Sequence, residues 1–421
     1  MEIINSIKNN ELLFIDLFSG CGGLSLGLVN AGWKGLFAIE IHSDAFNTFK
    51  KNLLEKDIKF NWPSWLPKKN HDIKDFICDF NEHLKSLKGK IDLIAGGPPC
   101  QGFSLAGRRT HSDPRNSLIK DYLTVVNLIE PRFLLIENVI GFTQPFKKNN
   151  EILSGPYSKK IQVRLESMGY KVFSQIINFN KFGVPQNRSR FILIGIKNND
   201  LVLDRLNGAT PFSLLFNERE NFLYNKGLFS NRPITVKEAI GDLEVNNSNL
   251  IDCLDSNISG FKQIDYTYPT NNSSPYIKLL KSEKAPNSMR LANHKESTIL
   301  QFEKILNTCE LGKAINNNDR ERLGIKKRAI TPLKASSPSA TITTLPDDII
   351  HYSEPRILTV RENARLQSFP DWFEFTGSYT TGGQIRKSDC PRYTQVGNAV
   401  PPLFAEALGN ILYRLGKLNN L

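Results

Sequence analysis

Apolar residues in the first half of the chain fall in short runs, separated by stretches with helical spacing. LLFIDLF (12–18), GLFAIE (35–40), KIDLIAGG (90–97) and RFLLIENV (132–139) read as strands. LSLGLVNAG (24–32) has helical spacing and a glycine stop. HDIKDFICDFNEHLKSLKG (71–89) reads as helix, with Asp72 as N-cap and Gly89 as stop. DPRNSLIKDYLTVVNLIEP (113–131) puts Leu118, Tyr122, Val125, Val126 and Ile129 on one side of a helix. This alternation predicts an α/β fold, a doubly wound and mostly parallel sheet with right-handed crossovers. SQIINF (174–179) and RFILIGI (190–196) read as a closing hairpin joined by NKFGVPQNRS.

After residue 200 the pattern weakens. Asn, Ser and Pro rise, and stretches such as VNNSNLIDCLDSNISG carry little core. A smaller, loop-rich domain is expected over 201–340, interrupting a larger domain made of 1–200 and completed by 341–421. Ordered structure is expected to resume at ILTVRENARLQSFPDWF (357–373) and to end in NAVPPLFAEALGNILYRLG (398–416), a proline-started helix. No internal repeat is found, and no apolar run nears the roughly 18 residues that span a bilayer.

Charge changes the picture. Lys plus Arg exceed Asp plus Glu by 54 to 42 in 421 residues, and the net +12 suits a polyanion such as nucleic acid. The cluster Lys326, Lys327, Arg328 is a phosphate-contact candidate, and a solvated charged loop is the alternative. Six cysteines, at 21, 78, 100, 253, 309 and 390, show no C-x-x-C spacing, which speaks against zinc and against a disulfide framework. Scattered cysteines and an N-terminus without signal-peptide layout give a cytoplasmic expectation.

Open α/β sheets bind ligands at the carboxyl ends of their strands. Four predicted strands end in notable groups there. DLFSGCGGLSLG (16–27) is a glycine loop in which Gly20, Gly22 and Gly23 let backbone approach a ligand. The dinucleotide fingerprint counted from Gly20 needs a small residue at its sixth position and meets Ser25, so the match fails. Glu40 lies where a carboxylate can accept ribose hydroxyls. A ribose without a pyrophosphate fits S-adenosyl-L-methionine. The third strand ends in Gly-Gly-Pro-Pro and then Cys100, and two prolines make a stiff turn that aims one side chain. The loop after it holds Arg108 and Arg109, and nearby cations favour the nucleophilic thiolate. The fourth strand ends in Glu137 and Asn138.

DLFSGCGGLSLG, GGPPCQGFS, ENV, QNRSR and RYTQVGNAVPP, in that order, resemble the motifs of the DNA (cytosine-5) methyltransferases, with the layout of bacterial restriction–modification enzymes. The resemblance implies a Rossmann-like methyltransferase fold and a role for each motif. Phe18 would pack on the adenine of S-adenosyl-L-methionine, Gly20, Gly22 and Gly23 would surround its amino-acid end, and Glu40 would hold the ribose. Asp72 and Ile73 would contact the adenine, with Asp79 as competitor. Ile41 stands where some members carry an aromatic ring. Pro99 would contact the cofactor, and Asn398 belongs to the C-terminal motif that closes its site. Cys100 would be the nucleophile, Glu137 would face the cytosine, and Arg188 and Arg190 would lie near the flipped base. The same resemblance makes double-stranded DNA the substrate, 201–340 the target-recognition domain, a restriction endonuclease the functional counterpart, and a monomer the expected state, with no metal. A tRNA-directed relative, a silent DNA-binding protein and a nicotinamide-linked oxidoreductase are the rival readings.

Overall fold

The computed structural model describes residues 11–56, 59–99, 118–148, 151–198, 200–246, 248–256, 258–269, 273–327, 329–380 and 389–418. The chain divides into two compact units. One comprises 1–178, 189–218 and 405–421; the other comprises 179–188 and 219–404. The second unit therefore holds most of 201–340 together with 341–404 and the hairpin connection.

The first unit is built on a six-stranded sheet. Its strands are β1 (Leu13–Leu17), β2 (Lys34–Ile39), β3 (Leu93–Gly96), β4 (Phe133–Val139), β5 (Tyr170–Asn178) and β6 (Ser189–Lys197). They lie in the order β2-β1-β3-β4-β6-β5. β1 to β4 are parallel, and β6 runs antiparallel between β4 and β5. This is the doubly wound sheet with a closing hairpin that the alternation predicts. Every residue of β1 is buried, as befits a central parallel strand covered on both faces.

The helices follow the apolar spacing. α1 (Gly23–Asn30) is buried almost throughout. The predicted 71–89 segment forms α2 (Ile73–Asp79) and α3 (Asn81–Ser86), broken at Phe80, and the Asp72 carboxylate caps α2 by accepting from Lys74 N at 2.7 Å. In α4 (Leu118–Ile129), Tyr122, Val125, Val126 and Ile129 are fully buried, and Leu118 packs against the same core. A C-terminal helix spans Pro402–Lys417, and its Gly409 carbonyl accepts from the buried Trp33 indole at 2.9 Å.

The second unit has short helices and two-stranded pairings in place of a large sheet. Its centre is charged. Arg361 and Arg365, on α5 (Val360–Leu366), are fully buried. Arg365 grips Asp371 through two bonds of 2.9 and 2.8 Å and reaches Asp242 at 2.6 Å. Arg356 grips Glu362 through two bonds of 2.8 Å. Among the described residues no helix is long and apolar enough to cross a membrane.

Candidate active site

The strand order puts a reversal between β1 and β3. From β1 the chain moves outward to β2, then crosses back to the other side of β1. Crevices open at the carboxyl ends of strands flanking such a point. The register sharpens this. Ile39, Leu17, Gly96 and Ile136 are aligned across β2, β1, β3 and β4. One residue further along each strand stand Glu40, Phe18, Gly97 and Glu137. With strands about 4.8 Å apart, these four span roughly 14 Å of sheet end.

The two glycines of the third strand each answer a steric demand. A Cβ on Gly96 would lie 2.5 Å from the Leu17 carbonyl oxygen of the neighbouring strand. A Cβ on Gly97 would lie 3.3 Å from Glu137 Oε2. The Glu137 carboxylate is thus laid against the backbone that leads into the Pro-Pro turn. Its other oxygen pairs with Arg190 Nε at 3.0 Å, and both side chains are nearly buried. Burial pulls the Arg190 guanidinium below its ordinary range, against the pull of Glu137. β4 and β6 set this pair, since Val139 stands opposite Arg190. The neighbouring Asn138, also buried, donates to the Pro98 carbonyl at 3.3 Å and ties the Glu-Asn-Val strand to the turn. Pro98 is buried and Pro99 exposed. Cys100, Arg108 and Arg109 lie outside the described residues.

The glycine loop closes on Glu40. Phe18 takes a left-handed conformation (φ 64°), as do Gly20 and Gly22 (φ 56° and 98°). Such a φ strains a non-glycine residue, and here it ends the strand abruptly. Gly20 N–H donates to Glu40 Oε2 at 2.9 Å and His42 N–H to Oε1 at 2.8 Å. Burial nonetheless raises the Glu40 carboxyl above its ordinary value. A backbone bond from His71 N to the Glu40 carbonyl (2.8 Å) brings Asp72 and Ile73 alongside. Asp79 lies at the far end of α2, about 10 Å on at 1.5 Å per residue. Ile41 is 54 % exposed beside Glu40.

The profile of the C-5 cytosine-specific DNA methylase family matches residues 12–414. The chain belongs to that family. Membership makes it a DNA (cytosine-5)-methyltransferase. It is 31% identical over 415 residues to the Type II methyltransferase M1.HphI of Haemophilus parahaemolyticus, covering 96% of this chain and 87% of the relative. The Type II methyltransferase M.DdeI of Desulfomicrobium norvegicum is 29% identical, with 94% and 86% covered. The fold is that of an Escherichia coli prophage-encoded DNA modification methyltransferase, with a TM-score of 0.62, 24% identity, and 97% of this chain and all of that one covered.

The methylase motifs divide between the two units. Arg188, in the second, is 3 % exposed and donates to the carbonyls of Ile342 (3.1 Å) and Gly397 (3.0 Å). Asn398 is exposed at the end of α6 (Arg392–Asn398). The residue before it is held tightly: a Cβ on Gly397 would lie 2.3 Å from the Thr343 carbonyl oxygen. Lys327 lies 2.6 and 2.7 Å from carboxylate oxygens of Asp347 and Asp348, so its charge is already balanced, and Arg328 is outside the described residues.

Sequence reasoning passed over Asp16. It is fully buried, accepts from the Ser25 hydroxyl at 2.6 Å through Oδ2, and keeps Oδ1 without a hydrogen-bond partner among the described residues. Burial pushes its carboxyl up to about 7. The bond explains why Ser25 stands where the dinucleotide fingerprint has glycine: its hydroxyl ties the start of α1 to β1. The signal was in the sequence as a carboxylate inside an otherwise apolar strand.

Proposed function

We propose that this protein methylates carbon 5 of a cytosine within a specific double-stranded DNA sequence, through a transient covalent bond to Cys100. The observation that carries the reading is the row Glu40, Phe18, Gly97 and Glu137 at the sheet's end, with Glu137 and Asn138 laid against the Gly-Gly-Pro-Pro turn. Two peptide units separate Pro98 from Cys100, and they reach no further than about 7 Å. The residues around the glycine loop fit S-adenosyl-L-methionine. Among the described residues nothing lies within 4 Å of a Cβ built on Gly20, and the Ser19 hydroxyl and Asp16 Oδ1 are buried with hydrogen-bonding capacity to spare. Glu40 would accept the ribose hydroxyls, Asp72 and Ile73 would meet the adenine, and Phe18 would pack on it, with Pro99 in contact with the cofactor and Asn398 closing its site. When bound, this cofactor supplies an electrophilic methyl on a sulfonium.

The chain's own residues would do the rest. The Cys100 thiolate adds to carbon 6 of the cytosine ring, which makes carbon 5 nucleophilic. Charge developing at N3 meets a proton shared with Glu137, and charge at O2 meets Arg190, which the ion pair already holds in place. Arg188, bound to two carbonyls, would hold the shape of the QNRSR segment within the second unit. Once carbon 5 carries the methyl, transfer of its proton to a base restores the ring double bond and expels the Cys100 thiolate. A base stacked in a duplex cannot reach such a site, so the cytosine must be turned out at a cost of a few kcal/mol. The second unit would read the target sequence. Modification of this kind would protect host DNA from a cognate restriction endonuclease.

The test is conversion sequencing of plasmid DNA from expressing cells, with duplex DNA and tRNA methylated side by side in vitro. One fixed sequence context carrying 5-methylcytosine is expected on DNA. Cys100→Ser should retain DNA binding, lose methyl transfer by several decades, and form no adduct with DNA containing 5-fluorocytosine. Unchanged turnover would refute the nucleophile assignment.

A further inference from the structure

In the second unit, Leu250–Asp252 and Lys262–Ile264 form a small antiparallel hairpin. Its connection is unusual in what it exposes. Leu254 is 80 % and Ile258 64 % exposed, with Leu250 on the adjoining strand at 43 %. Single exposed aliphatics are ordinary, but three within nine residues concentrate apolar surface on one short connection. The backbone beneath them is not loose. Leu254 N–H donates to Gln263 Oε1 at 3.0 Å, and Cys253 N–H to the Phe261 carbonyl at 2.9 Å. The Asp255 carboxylate takes the Ser288 N–H at 3.0 Å as well as the Tyr379 hydroxyl and the Arg392 guanidinium. Leu254 is therefore a bare apolar side chain on a fixed support.

Beside the hairpin, a bridge pairs Gln263 with Arg290. The Arg290 guanidinium lies 4.0 Å from the ring centre of Phe261 and 4.0 Å from that of Tyr379. Two rings pin it in place. Among the described residues no carboxylate pairs with it, because Asp255 is given to Arg392. A half-buried guanidinium so pinned, with no counter-charge among the described residues, is a planar fork free to meet a ligand that offers a pair of acceptors. Guanine presents such a pair, O6 and N7, in the major groove, and thymine presents a methyl that aliphatic side chains can touch.

We propose that Arg290, with Leu254 and Ile258, forms a base-reading edge of the second unit. Arg290 donates to a guanine of the target sequence, and the two aliphatic side chains lie against neighbouring base edges. This rests on the reading that duplex DNA is the substrate. A phosphate would also accept the guanidinium fork, but it carries no sequence information, so the response of target stringency separates the two contacts.

The experiment is conversion sequencing of plasmid DNA from cells expressing the full chain as wild type, Arg290→Lys or Leu254→Ser. Wild-type protein that methylates no DNA overturns the functional reading, and this inference with it. If the wild type marks one sequence context, Arg290→Lys is expected to cut discrimination against a single changed base by about tenfold or more, at a guanine position. Leu254→Ser is expected to relax a neighbouring position by a smaller factor. Uniformly slower methylation by Arg290→Lys with stringency intact makes it a phosphate contact and overturns the proposal. Wild-type stringency in both variants does the same. Leu254 is exposed, so its substitution tests the edge even if the Arg290 variant fails to fold.

Discussion

In the first unit the middle of the sheet is aliphatic: Ile15, Ile94, Leu134 and Ile194 are wholly removed from solvent. In the second the same degree of burial is reached by Arg361 and Arg365. An aliphatic core is non-directional and tolerates exchange of similar volumes. A core of paired charges tolerates little, because removing one partner strands the other in a low-dielectric interior. The methyltransferase uses both kinds of order at different places, one to align a row of strand ends and one to fix loops outside the large sheet. The strongest way to break the comparison is Arg365→Met. It leaves Asp371 and Asp242 without their guanidinium and should cost about 3–5 kcal/mol. Hydrogen exchange is expected to show protection lost around α5 while β1 to β4 keep theirs. A loss spread evenly over both units would mean that the charged core is not local.

That difference also decides what was legible in the sequence. The strands of the first unit announce themselves as apolar runs, and their ends as glycine, proline and carboxylate. Asp72 was readable as a cap because capping is local. Membership of 179–188 and 341–404 in the second unit was not readable. It rests on side-chain bonds between distant residues: Gln186 to Gln367 at 2.9 Å, and Arg188 to the carbonyls of Ile342 and Gly397. Such bonds leave no periodicity. The stacked Arg290 was invisible for the same reason, since Phe261 and Tyr379 are more than a hundred positions apart. Lys327 was read by charge, and its partners Asp347 and Asp348 lie some twenty residues on.

The units should also answer oppositely to acid. Burial raises the Asp16 carboxyl from 3.8 to about 7. Between those values the folded state holds a proton that the unfolded chain has lost, so this contribution to stability falls as pH rises through the window. Glu40 and Asp92 are raised by burial too and act with the same sign. His351, buried in the second unit, is pulled from 6.5 down to about 4. There the unfolded chain holds the proton, and stability falls as pH drops through the window. Glu362 is lowered, with Arg356 opposing the cost of burial, and extends that loss below its ordinary value. Moving from pH 7 to pH 5 should raise the amide protection factors, measured against the intrinsic rate at each pH, in β1 and lower them near His351. Asp16→Asn should remove the first slope, leaving the protein more stable at pH 7 than the wild type and little changed at pH 4. Parallel slopes in both units would refute the assignment.

The smallest effect sharpens the comparison most, because it holds the motif constant and varies only burial. Thr359 and Glu362 form a capping box at the start of α5, with Glu362 N–H donating to the threonine hydroxyl at 3.1 Å. Thr235 and Glu238 form another at the helix Val236–Ile240, where the matching bond is 3.3 Å. Thr359 is 3 % exposed, and Glu362 is wholly buried against Arg356. Thr235 is half-buried, and Glu238 pairs with the exposed Arg232. Alanine at a cap costs about 0.5–2 kcal/mol. At 235 water can reach the freed N–H, so the loss should sit near the lower bound. At 359 it cannot, and the loss should sit near the upper one. Denaturant midpoints of the two alanine variants measure the gap. Equal losses would mean that water reaches the start of α5 as readily as it reaches Thr235, and that the charged centre of the second unit is wetter than its exposure implies.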